Sequence, residues 1–144
     1  MLEDSSTFKE QVPMMMTFLK NLPQPVCLVA HNGDRFDFPL LVRHLEDAGT
    51  DVQELPDVVC ADSFLAFKAT VPMRSFKLSN IYTRVCSAYP PSTHSAEQDS
   101  QMLMDIVHKM DSPGLVQWLS VQAKPLSFFK CPPEQFCSRF RRRV

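Results

Sequence analysis

Asp99 falls where an amphipathic helix should carry an apolar residue. After His94 the chain reads as helix, with Met102, Leu103, Ile106, Val107 and Met110 at the i, i+3, i+4, i+7 spacing of a core-facing stripe. Asp99 precedes Met102 and Leu103 by three and four positions and so continues that stripe toward the interior. A carboxylate aimed at apolar surroundings is costly unless a cation or a hydrogen-bond donor meets it. The expectation is therefore a charge partner waiting in the fold.

Two further residues carry chemistry. Asp37 follows an apolar run and precedes a helix starting near Pro39; it can cap that helix or serve as a second carboxylate of a site. His94 lies in a loop behind Pro90 and Pro91, just outside the Asp99 helix. A lone surface histidine is ordinarily inert, but imidazole suits proton transfer at neutral pH. Its offset from Asp99 does not put both on one helical face, so His94 would have to fold over the site from the loop. Asn32-Gly33 reads as a tight turn. His44 falls in an amphipathic helix and His108 near a helix end, both with ordinary structural explanations.

The elements that must position these residues follow from local pattern. A helix over 13–20 carries proline in its first turn and stops before Pro23 and Pro25. Val26 to Ala30 is apolar without alternation, as in a strand covered on both faces. A polar turn, His31 to Arg35, leads into a helix through Leu40, Leu41, His44, Leu45 and Ala48, with Gly49 as its stop. Asp57 to Ala61 is a second buried strand, and Asp62 or Ser63 caps a helix through Phe64 to Lys68. Residues 69–93 are loop-rich with a short helix near Leu78 to Val85, and a last helix opens at Ser112-Pro113. Strand–helix alternation indicates an α/β fold with parallel pairing, whose chemistry gathers at the carboxyl ends of strands.

Composition bounds the function. A chain of 144 residues, 44% hydrophobic and 22% charged, suits one soluble domain. A net charge of −1 provides no global field for nucleic acid, so such binding must rest on a local patch. Five cysteines without CxxC spacing argue against a zinc site and for a reduced, intracellular setting, nuclear or cytoplasmic. Three glycines are too few for a phosphate-cradling loop, and no apolar run approaches a membrane span. Arg139, Arg141, Arg142 and Arg143 form a basic end that would touch phosphates, act as a nuclear import signal, or simply be solvated.

The strings Cys27-Leu28-Val29-Ala30-His31-Asn32-Gly33-Asp34-Arg35-Phe36-Asp37-Phe38-Pro39-Leu40-Leu41 and His94-Ser95-Ala96-Glu97-Gln98-Asp99 resemble the second and third motifs of the three-prime repair exonucleases. Ser79 to Arg84, Tyr89-Pro90-Pro91, Trp118 and Ala123-Lys124-Pro125 extend the resemblance over roughly residues 10–126. It implies an RNase H-like α/β fold and 3′-to-5′ hydrolysis of DNA, preferably single-stranded, at its 3′ ends. The implied mechanism uses two Mg²⁺ ions about 3.5–4 Å apart, with Mn²⁺ as a substitute. Carried over by motif, Asp37 and Asp99 are metal ligands, His94 is the general base, and Phe36, Arg35 and Asn32 contact substrate. A homodimer, or a heterodimer with a full-length relative, is implied as well.

One departure limits that reading. The family's first motif, a strand ending in Asp-x-Glu, supplies two more carboxylates, and nothing upstream of His31 has its spacing. The expectation is an N-terminally truncated chain: an incomplete exonuclease domain over 1–126, lacking the first strands of its sheet, followed by a Pro/Cys-containing, Arg-rich tail over 127–144. Such a chain is expected to be a poor catalyst, and the competing reading is a non-catalytic remnant that pairs with relatives or binds DNA.

Overall fold

The computed structural model describes residues 7–91, 95–110 and 113–130. His94, Cys131, Cys137 and the arginine cluster lie outside the described residues. The first helix, α1 (Phe8–Lys20), begins five residues before the start read from Pro13. A reciprocal cap explains the difference. Thr7 Oγ1 accepts the Glu10 N–H at 3.2 Å, and the Thr7 N–H donates to Glu10 Oε2 at 3.4 Å. Pro13 therefore lies inside the helix.

Strand β1 (Val26–Ala30) runs parallel to β2 (Val58–Asp62), with Val26 opposite Val58 and Ala30 opposite Asp62. Between them lies α2 (Asp37–Asp47), which ends through Ala48 at Gly49, whose φ of 78° is the left-handed stop expected of glycine. After β2 come α3 (Ser63–Thr70), α4 (Leu78–Cys86), α5 (Ala96–Met110) and α6 (Pro113–Gln122). A short β3 (Lys124–Pro125) pairs antiparallel with β2, so the sheet order is β1-β2-β3 and the fold is mixed α/β. The parallel pair was expected; β3 was not, since a two-residue strand has no periodicity to read.

Neighbouring residues of β2 point to opposite faces, and the core divides accordingly. Cys60 packs with Phe38, Val42, Leu45, Leu126 and Phe129, while Ala61 packs with Ala66, Phe67, Ile81, Ile106 and Leu115. The Phe129 ring lies 5.2 Å from that of Phe38, so the packed core continues past position 126. Strand β1 departs from its expected burial. Val26 is buried, but Cys27 is exposed and Val29 is 37% exposed, whereas β2 is buried almost throughout. Among the described residues β1 is an edge strand, and no element covers that part of its face. Among the described residues, no helix is long and apolar enough to cross a membrane.

Candidate functional site

The β1–β2 register sets the site, because it brings the turn leaving β1 beside the last residue of β2. Asp62 is 3% exposed, and its carboxylate accepts the N–H groups of Asn32 (2.8 Å), Asp34 (3.2 Å) and Phe64 (2.8 Å). It thus caps α3, as one sequence alternative held, and also fastens the turn over 31–36 to the neighbouring strand. Asn32 takes the left-handed conformation, φ 62°, that asparagine tolerates better than most residues. Gly33 is needed for space rather than for a positive φ: a Cβ there would stand 2.7 Å from Phe38 Cε2 and 2.8 Å from Ala30 Cβ. Asp34 pairs with Lys124 of β3 at 3.0 Å, and the Arg35 guanidinium lies 5.4 Å from the Phe36 ring centroid.

This turn delivers Asp37 into the first turn of α2. The cap itself is Phe36, which makes no side-chain cap bond, so Asp37 sits one position inside the helix, where its charge favours the dipole. Asp99 lies in the first turn of α5, its N–H donating to the Ser95 carbonyl at 2.9 Å. Both aspartates are exposed. The expectation that Asp99 points into apolar interior is therefore corrected. Met102 and Ile106 are buried as the stripe requires, but one turn earlier the helix runs past the uncovered part of β1.

What Asp99 faces is an open cavity of about 390 Å³, and Asp37 lines the same cavity. The two carboxylates, 62 positions apart in sequence, are joined there by Val29, His31, Leu78 and Ser100. A shallower hollow of about 300 Å³ flanks Asp37 on the side of Phe36, Leu40 and His44. A cleft of about 280 Å³ between Asp34, Lys68, Trp118 and Lys124 shares no residue with the carboxylate cavity, and its Lys124 is already paired with Asp34.

His31 was read in the sequence as the start of the polar turn leaving β1, with no role of its own. Its Nε2 lies 2.6 Å from the Phe76 carbonyl and its Nδ1 3.0 Å from Ser63 Oγ. A carbonyl only accepts, so Nε2 carries a hydrogen and donates it. Its ring centroid lies 5.5 Å from that of Phe64 and 6.0 Å from that of Phe67. Its place directly after a strand, at the carboxyl end, marked the segment but not the residue.

A hard divalent cation prefers oxygen donors and often uses one or two carboxylates, with water and substrate phosphates completing its shell. Asp37 and Asp99 fit that role for one ion. Among the described residues, no group of three or more His, Cys, Asp or Glu side chains is placed to hold an ion, so a closed cage for two is not present among them.

No protein-family signature matches the chain. Several curated relatives do. The chain is 40% identical over 128 residues to three-prime repair exonuclease 1 of Bos taurus, covering 83% of this chain and 40% of the relative. It is 39% identical over 121 residues to three-prime repair exonuclease 1 of Homo sapiens, covering 78% and 38%. It is 33% identical over 124 residues to three prime repair exonuclease 2 of Mus musculus, covering 78% and 51%. The chain thus spans about two fifths to one half of the length of these relatives. With the turn, the two aspartates and this similarity together, the chain belongs to the three-prime repair exonuclease family.

Proposed function

We propose that the chain carries the second- and third-motif portion of a divalent-metal-dependent 3′-to-5′ DNA exonuclease site, within an RNase H-like fold whose first strands and other two carboxylates lie outside it. The observation that supports this reading most is that Asp37 and Asp99 line one open cavity. In this reading both aspartates contribute oxygens to magnesium, or to manganese in its place. The bound metal supplies an activated water and stabilises the departing 3′ oxygen. The remaining tasks fall to the chain's own groups. His94 takes the proton as general base. Phe36 offers a ring face to the terminal base, and Arg35, held beside that ring, meets a phosphate. Asn32, in the turn fastened by Asp62, completes the substrate contacts. The substrate is the 3′ end of DNA, single strands preferred, in the nucleus or cytoplasm, and the assembled form is a dimer of this chain or of this chain with a longer relative.

The donor count favours a second reading for the chain as it stands. Among the described residues two carboxylates line the cavity, fewer oxygens than a pair of hard cations requires. The second reading is a non-catalytic role, through pairing or weak DNA binding. One titration series examines both. The chain is expected to bind a single Mn²⁺ weakly, to lose most of that affinity in Asp37→Asn and Asp99→Asn, and to leave a single-stranded oligonucleotide intact in Mg²⁺. Robust digestion abolished by His94→Ala would reverse the second reading. Metal binding indifferent to both asparagine variants would remove the first.

A further inference from the structure

We propose that His31 is a positioning residue that sets where Asp99 stands relative to Asp37; the inference rests on the metal-binding reading of their cavity. The two aspartates are carried by different bodies. Asp37 leaves β1 directly, through the turn latched to β2. Asp99 rides on α5, which packs principally against α4, forming a helical pair joined to the rest of the molecule through side chains such as Ile81 and Ile106. The segment through Phe76 that leads into α4 is the other tie. His31, at the end of β1, holds it by the 2.6 Å bond from Nε2 to the Phe76 carbonyl. Two residues later Leu78 begins α4 and lines the carboxylate cavity, as His31 itself does.

The ring cannot swing away from this bond without loss. Ser63 is 1% exposed and its hydroxyl is hydrogen-bonded to Nδ1 at 3.0 Å, which with the bond at Nε2 fixes the ring plane. Phe64 and Phe67 pack beside it. His31 is thus a brace of the kind that orients metal ligands from behind, where removal typically costs about ten- to a hundredfold in metal affinity. Here it would act on the spacing of two ligands instead of bonding to either.

The test uses the full chain, with Mn²⁺ uptake read by the paramagnetic resonance of the free ion and backbone hydrogen exchange read across α4 and α5. His31→Phe keeps the ring and deletes both bonds. It is expected to weaken Mn²⁺ binding by about tenfold and to speed exchange in α4 and α5 while the amides of β2 keep theirs. His31→Gln, which retains a side-chain donor, should recover part of both effects. Should His31→Phe fail to fold, Ser63→Ala gives the same comparison, with a smaller loss in the same two readouts. Wild-type affinity and wild-type α4 exchange in a folded His31→Phe or Ser63→Ala protein would overturn the proposal. If wild-type chain takes up no Mn²⁺, the metal reading fails by itself, and exchange in α4 and α5 then decides for or against the brace.

Discussion

Gly33 and Asp62 hold the same turn by opposite means, one by having no side chain and the other by what its side chain accepts. A methyl at Gly33 meets Phe38, which is 3% exposed and part of the core, and Ala30 on the strand. Neither can retreat without moving a packed element. Gly33→Ala is therefore expected to destabilise the fold by about 1–3 kcal/mol, as overpacking does, measured by urea unfolding. An unchanged midpoint would show that the turn yields more easily than its distances imply. Asp62→Ala removes the acceptor of three backbone donors at once. Leaving such groups without a partner should cost about 3 kcal/mol or more. The same denaturation experiment checks it, and a loss confined to a single helix cap, about 1 kcal/mol, would mean that the turn finds other acceptors. Neither role was legible in advance. Asn32-Gly33 read correctly as a turn, yet which residue takes the positive φ and which needs the space depends on Phe38. The bonds from Asp62 span 28 and 30 positions and leave no local signature.

At the scale of elements, the strands and most helices were readable because their apolar residues recur at the right period. Helix α1 and strand β3 were misjudged for different reasons. The start of α1 is decided by the Thr7–Glu10 cap, upstream of the proline that looked like a first turn. Strand β3 exists only through pairing with β2. The burial of β1 was misread because an unbroken apolar run does not tell whether anything covers it. Strand β2, by contrast, is enclosed, and this has a titration consequence. Burial pushes the Cys60 thiol up to about 12, with Cys27 and Asp34 nearby adding to the effect. The Cys27 thiol is raised too, by desolvation of its sulfur, although the residue as a whole is exposed. The folded chain therefore holds the Cys60 proton more tightly than the unfolded chain, whose thiols titrate near 9.0. The stability this contributes is complete below that value and is lost as pH rises toward 12. Unfolding midpoints followed from pH 8 upward should fall from about pH 9, less steeply in Cys60→Ala measured against its own neutral-pH value. Parallel declines in the two proteins would assign the effect to other groups.

Among the described residues the two larger core clusters lie on opposite faces of a small sheet, and the candidate site lies where that arrangement stops short. Asp37 and Asp99 were both legible as residues, and their motifs pointed to one chemistry; what the sequence did not reveal is that the cavity joining them is open rather than apolar. The same opening has a consequence for how the chain behaves in solution. Strand β1 bonds to β2 on one side only among the described residues, and it carries Cys27 and Val29 on an uncovered face. A backbone rail of this kind invites a strand from another molecule. Light scattering should accordingly rise with protein concentration, and Cys27→Lys, which sets a charge on the rail outside the cavity, should suppress the rise. Particle size that stays constant across the range would mean the rail is shielded. If it is not, crowding becomes an antagonist of the cavity itself: each adhesive contact along β1 would seat a foreign strand beside the opening that Asp37 and Asp99 line.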